Sequence, residues 1–293
     1  MPLDRRGVAA AWRRDDAAPA DEVRPRMPEQ TIFATLPAGR RNWAVASVHG
    51  EAERLAALHE RLAERIAPED NLVYLGNFLG RGDNVAGTVE ELLVFRRALM
   101  AEQISGDAGD IVYLRGSQEE MWHKLLQVQF APDPRQVLEW MLSQGVGTTL
   151  EAYGGRVAEG RKAAALGAVA LSQWTNRLRA TVRATDGHDR LISVLRRAAF
   201  TGDGTLLFVN AGIDPNRPLS EQTDSFWWGG GKFEAIGAPY GGFNCVVRGF
   251  DHHHRGVIVK EHVASIDGGC GFGGPLVAAC FDAAGRLIDT IEA

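Results

Sequence analysis

Apolar residues are spaced in two rhythms along this chain. Compact apolar runs, NWAVAS (Asn42–Ser47), NLVYLG (Asn71–Gly76) and DIVYLRG (Asp110–Gly116), have the length and the β-branched or aromatic content of buried strands. Each is followed by a polar or glycine-containing loop and then by helical spacing. Leu55, Leu58, Leu62 and Ile66 recur at intervals of three and four across Glu51–Ile66, and helices are also predicted over Val85–Ala101 and Glu119–Gln129. Strand, loop and helix in repeated succession predict a largely parallel sheet with crossover helices. In such sheets the loops leaving the carboxyl ends of the strands build the functional site.

From Pro134 to about Ala199 the pattern is helical and strand signals are absent, with Trp140, Met141, Leu150 and Tyr153 in the first half and Leu191–Ala199 as the last helix. This segment is expected to form a helical cap inserted beside the site. Strand signals return at Thr205–Asn210, Phe243–Arg248, Val257–Ser265 and Leu276–Phe281, enough for a second sheet. Residues 1–30 mix Arg, Asp, Ala and Pro without periodicity and are expected to be a poorly ordered tail, with an arm that docks on a partner as the alternative. The expected organisation is one domain over 31–293, with the cap at about 134–200. No internal repeat is present.

Composition narrows the function classes. Of 293 residues 45% are hydrophobic, ample for a packed core, and the net charge of −5 comes without any Lys/Arg stripe, so a nucleic-acid binder is not expected. No apolar run is long enough to cross a membrane, and no signal-peptide pattern opens the chain. Cys245, Cys270 and Cys280 are too few and too scattered for a disulfide framework or a zinc site, so a reduced, cytoplasmic protein is expected.

The loops after the first strands read VASVHG (Val45–Gly50), LGNFLGRGDN (Leu75–Asn84) and LRGSQEEM (Leu114–Met121). In order, strand context and spacing they resemble the signature blocks of the calcineurin-like metallophosphoesterases, above all the bacterial serine/threonine protein phosphatase branch. There the blocks run G-D-x-H-G, L-G-D-x-x-D-R-G and L-R-G-N-H-E. LLFVNAGIDP (Leu206–Pro215), VVRGFDH (Val246–His252) and SIDGGCGFGGPL (Ser265–Leu276) resemble the later blocks, and WMLSQGVGTTLEAYG (Trp140–Gly154) resembles the cap. The resemblance runs from about Trp43 to Phe281. It implies a four-layer α/β/β/α sandwich with a helical cap, and in the family's active members metal-dependent phosphomonoester hydrolysis.

Carried across residue by residue, the family's metal-ligand positions fall on Ser47, His49, Asn77, Ser117, Asn210 and Phe250, of which His49 alone is a family ligand. The family's general acid falls on Gln118 and the Asp that orients it on Gly80; Arg81, a phosphate contact in the family, and Glu119 are kept. Two dications roughly 3.7 Å apart repel by about 18 kcal/mol at an effective dielectric of about 20, and anionic ligands offset that repulsion. With neutral side chains at Ser47 and Asn77, no metal and no cofactor is expected at these positions. The resemblance, with these departures, implies a pseudophosphatase whose remodelled pocket and cap bind a protein partner or a small ligand, His49 and Arg81 being the candidate anion contacts. Arg81 also reads as a structural arginine, and His49 as a hydrogen-bonded loop histidine. The alternative is a phosphoesterase with a rebuilt centre drawing on Asp251, the His252–His254 run and Arg81.

Overall fold

The computed structural model describes residues 32–102, 108–229 and 233–293. The tail expected over 1–30 lies outside the described residues, as do Gly230, Gly231 and Lys232.

The strands are β1 (Phe33–Leu36), β2 (Asn42–Val45), β3 (Asn71–Tyr74), β4 (Ile111–Tyr113), β5 (Ala198–Thr201), β6 (Leu206–Val209), β7 (Cys245–Arg248), β8 (Ile258–Val259), β9 (Val263–Ser265), β10 (Val277–Phe281) and β11 (Leu287–Glu292). One sheet has the order β11-β10-β2-β3-β4, with β2, β3 and β4 parallel and β10 and β11 antiparallel at one side. The other has the order β1-β5-β6-β7-β9-β8, in which β6, β7 and β9 are parallel. Successive residues point to opposite faces. Trp43, Val45, Leu72 and Tyr74 therefore face the helices, while Ala44, Val73 and Leu75 meet Leu206, Phe208 and Val247 of the second sheet. The rings of Phe208 and Phe281, 6.4 Å apart, close this inter-sheet core.

Helices α1 (Ala52–Ala63) and α2 (Val85–Glu102) connect the parallel strands, followed by α3 (Ser117–Leu125) after β4. Leu55, Leu58 and Leu62 of α1 are fully buried, each contributing about 2 kcal/mol by removal from water. Asn84 caps α2 by accepting a hydrogen bond from Gly87 N at 2.9 Å. Then come α4 (Pro134–Ser143), α5 (Val146–Ala152), α6 (Val157–Leu166), α7 (Ala168–Ala184) and α8 (His188–Ser193), the strand-free stretch expected from the sequence. Asp133 caps α4, with Pro134 in its first turn.

The outer face of the second sheet is covered differently. The cover is drawn from 211–243, whose described residues contain a four-residue helix, α9 (Ser225–Trp228), and short 3-10 turns. Its aromatics, Phe226, Trp227, Phe233 and Tyr240, supply the packing that a longer helix would give. The helix expected to run to Ala199 ends at Ser193, and Ala198–Thr201 is strand β5, because its small apolar residues pair with β1 and β6. The single run expected over Val257–Ser265 is a hairpin, β8 against β9. Strands β1 and β11 carry no strong alternating signal; they form at sheet edges, where pairing on one side suffices.

Candidate functional site

Loops at the carboxyl ends of β2, β3, β4, β6 and β7 converge, and they carry every position singled out from the sequence. Ser47 N donates to Gly249 O at 3.1 Å, Val48 N to Asn77 O at 3.1 Å, and Phe250 N to Asn210 O at 2.9 Å. Among the described residues the non-glycine positions with positive φ are His49, Asn77, Arg81 and His254, all in these loops. A left-handed backbone is unfavourable for such side chains and persists only where the surroundings over-determine it, a pattern concentrated at functional sites.

At the centre is a neutral hydrogen-bond network. Asn77 Nδ2 donates to Ser47 Oγ at 3.1 Å, while Asn77 Oδ1 accepts from Ser117 Oγ at 3.1 Å and from Gln118 N at 3.0 Å. Ser47 and Asn77 are wholly buried. Asn210 Nδ2 donates to Leu75 O at 2.6 Å, and its Oδ1 has no hydrogen-bond partner among the described residues. Beneath the network Glu119 ties the loops after β3 and β4 together. Its carboxylate accepts from Gly116 N at 2.7 Å, Asn77 N at 2.9 Å and Leu79 N at 3.0 Å. Burial raises the Glu119 pKa, and the backbone donors act against that rise.

Beside the network lies an aromatic box around His49. The ring of His49 meets Phe250 at 5.6 Å and Phe272 at 5.3 Å edge to face, and neither of its nitrogens has a hydrogen-bond partner among the described residues. Burial first, then the Arg81 guanidinium and the neighbouring His254, lower its pKa to about 3, so the ring is neutral. The Arg81 guanidinium lies over Phe272 at 4.2 Å from the ring centre, and the His254 ring packs against Phe272 at 3.9 Å.

The cap is anchored to this cluster. Arg81 N donates to Gly145 O at 3.1 Å, Gly80 N to Thr149 Oγ1 at 2.8 Å, and Gln118 Nε2 to Gln144 O at 2.9 Å. Trp140 of α4 and Trp228 of α9 form a tilted pair 5.6 Å apart.

Asp251, His252, His253 and His254 sit in the loop after β7 but do not converge on one point. Asp251 pairs with Arg248 at 3.1 Å and Arg255 at 2.8 Å. His254 Nδ1 bonds Asp267 at 2.8 Å, and His252 Nε2 bonds Trp228 O at 2.9 Å. Among the described residues no three His, Cys, Asp or Glu side chains group to hold a metal ion. Burial pushes the thiols up, Cys245 to about 11 and Cys270 and Cys280 to about 12, so none offers a thiolate near neutral pH.

The donor set at the ligand positions does not fit a pair of dications. Asn77, at the bridging position, has both polar atoms committed to neighbours, no carboxylate stands at either acidic position, and Phe250 presents a ring. Sequence reasoning missed Phe272, Gln144, Thr149 and the Trp140–Trp228 pairing. Phe272 could have been found as the one aromatic in the glycine-rich run Gly268–Gly274.

No protein-family model and no curated protein matches this chain. Solved structures do. A protein designated a diadenosine tetraphosphatase aligns over 89% of this chain and 97% of its own, at 18% identity and a TM-score of 0.50. A serine/threonine protein phosphatase from Saccharomyces cerevisiae aligns over 90% of this chain and 84% of its own, at 13% identity and a TM-score of 0.52. A metallophosphoesterase from Sphaerobacter thermophilus aligns at 12% identity and a TM-score of 0.46, over 87% of this chain and 88% of its own. The first two likenesses establish the fold, that of the calcineurin-like metallophosphoesterases. Among the described residues no helix is long and apolar enough to cross a membrane.

Proposed function

We propose that this chain is a pseudophosphatase, a metallophosphoesterase fold that binds at its old catalytic mouth without hydrolysis. The observation that carries the reading is the Asn77 side chain, whose amide bonds Ser47, Ser117 and the Gln118 backbone where the family places a carboxylate between two metals. An amide so engaged supplies no negative charge, and each metal-clamp or general-acid contribution it displaces is worth several kcal/mol of transition-state stabilisation. Gln118, at the general-acid position, does not titrate. The features that support binding are the Arg81 guanidinium on Phe272 and the Trp140–Trp228 pair between α4 and α9. They suit an anion carried on a flat apolar group, or a partner segment bearing one.

p-Nitrophenyl phosphate tests both halves. It is expected to bind in calorimetry and to lose that binding in Arg81→Ala. It is expected to be released unhydrolysed, with or without Mn²⁺. Metal-dependent turnover of about 1 s⁻¹ or more, abolished in the Arg81 variant, would overturn the reading.

A further inference from the structure

The two faces of α3 differ in charge. Its inner face buries Gln118, Met121, Trp122 and Leu125, while Glu120, His123 and Lys124 turn outward at helical spacing. Cations from two further elements meet this outer face. Arg115, just past β4, bonds Glu120 Oε2 through Nη1 at 3.1 Å, and Lys124 Nζ lies 3.9 Å from Glu120 Oε1. Arg179 of α7 reaches the end of α3, where its Nη2 donates to Leu126 O and its Nη1 to Asn176 Oδ1 at 2.9 Å. These acceptors are neutral, so they fix the guanidinium without cancelling its charge.

The His123 ring lies within reach of all these groups. Partial burial lowers its pKa, Glu120 acts against that, and Arg115, Lys124 and Arg179 lower it further. Gln127 Nε2 bonds His123 Nε2 at 2.8 Å and holds the ring on the patch. One turn further on, Phe130 N donates to Gln127 O at 3.0 Å, and Phe130 is 76% exposed. A chain with a net charge of −5 therefore gathers cations from three elements around one exposed aromatic.

The position of Glu120 selects among anionic partners. A nucleic-acid backbone carries continuous phosphate charge and would be repelled where Glu120 stands between Arg115 and Lys124. A peptide can place a neutral residue there and carboxylates on either side, and an apolar side chain can rest on Phe130. We propose that this patch docks an acidic segment of a protein partner, with carboxylates on Arg115, Lys124 and Arg179 and an apolar residue on Phe130. This surface goes beyond the binding proposed at the old catalytic centre and does not depend on it.

The test is fluorescence anisotropy with the full chain and a fluorescein-labelled peptide, Glu-Glu-Glu-Leu-Glu-Glu-Glu. Binding is expected at low ionic strength and is expected to weaken about tenfold when salt reaches about 0.15 M, where the screening length is about 8 Å. Lys124→Glu is expected to weaken it about tenfold and the milder Lys124→Gln about threefold. Phe130→Ser is expected to weaken binding of this peptide but not of an all-glutamate one. Arg81→Ala is expected to leave peptide binding unchanged, which separates failure here from failure of the reading at the old centre. No binding at low salt, or equal binding by both Lys124 variants, would overturn the proposal. An oligothymidylate of matching charge that bound as tightly would overturn it in favour of a nucleic-acid surface, and loss of binding in Arg81→Ala would overturn it by placing the peptide at the old centre.

Discussion

Gln118 fills the space that a side chain at position 80 would need. A Cβ built on Gly80 would fall inside the van der Waals envelope of Gln118 Oε1, and Gly80 holds φ at +80°. The family's acid pair is therefore not simply erased: the helix residue has extended into the volume of the loop residue, and Gln118 Nε2 reaches past it to Gln144 O. Gly80→Ala is expected to destabilise by about 2–3 kcal/mol through clash and left-handed backbone strain. With Gln118→Ala in the same chain, the clash part of that loss is expected to disappear. A double-mutant cycle by urea denaturation measures the coupling; additive effects would show that the two positions do not share space.

His49 predicts an acid dependence of stability. Its folded pKa of about 3 lies below the ordinary value of 6.5, so its neutral form favours the folded state. That contribution is intact above the unfolded pKa and is lost as pH falls from 6.5 toward 3, by about 1.4 kcal/mol per pH unit. His49→Asn removes the titration and tolerates the left-handed backbone at φ +55°. The native protein is expected to lose stability more steeply than this variant across that window, in denaturation series at fixed pH values. Parallel slopes would mean that the ring is solvated or already paired.

Glu119 is the tie between the loops after β3 and β4, and its amide analogue separates charge from shape. In Glu119→Gln one nitrogen must face a backbone N–H that now meets an oxygen, Leu79 N or the pair from Asn77 and Gly116. The expected cost is about 2–3 kcal/mol in urea midpoint analysis. Hydrogen exchange at Asn77, Leu79 and Gly116 is expected to rise together. A neutral effect would show that the buried carboxyl is already protonated.

Stability is expected to be insensitive to chelators. A metal bound tightly and only by the folded state adds several kcal/mol at saturation. Melting in EDTA and in excess Mn²⁺ is therefore expected to agree, and a saturable upward shift with Mn²⁺ would expose a site built from other residues.

Restoring the family's ligands tests whether the loops still enclose the old centre. The variant carries Ser47→Asp, Asn77→Asp, Ser117→Asn, Asn210→His and Phe250→His beside native His49. It is expected to bind Mn²⁺ in calorimetry where the parent does not, ahead of any activity, which also needs Gly80→Asp with Gln118→His. Phe250 carries the greatest folding cost, since its ring packs on His49, His252, His254 and Phe272. A folded variant that binds no Mn²⁺ would show that the loops have moved apart.

The order of strands and helices, the parallel arrangement of β2, β3 and β4 and the loops that meet at the site were legible in the chain itself. Those features depend on local periodicity and on residues near one another in sequence, such as Leu55, Leu58 and Leu62 on one helical face. The absence of a carboxylate at Ser47 and Asn77 was equally plain, because charge is a property of the residue. What fills the vacated volume was not. Phe272 reaches His49 across more than two hundred residues, and Gln144 meets Gln118 only because the cap folds back. The edge strands β1 and β11, and the gathering of Arg115, Lys124 and Arg179, likewise depend on neighbours distant in sequence. Local spacing sets which face of an element is apolar. Which partner covers that face is decided by close packing among all the elements at once, and only the tertiary structure contains that information.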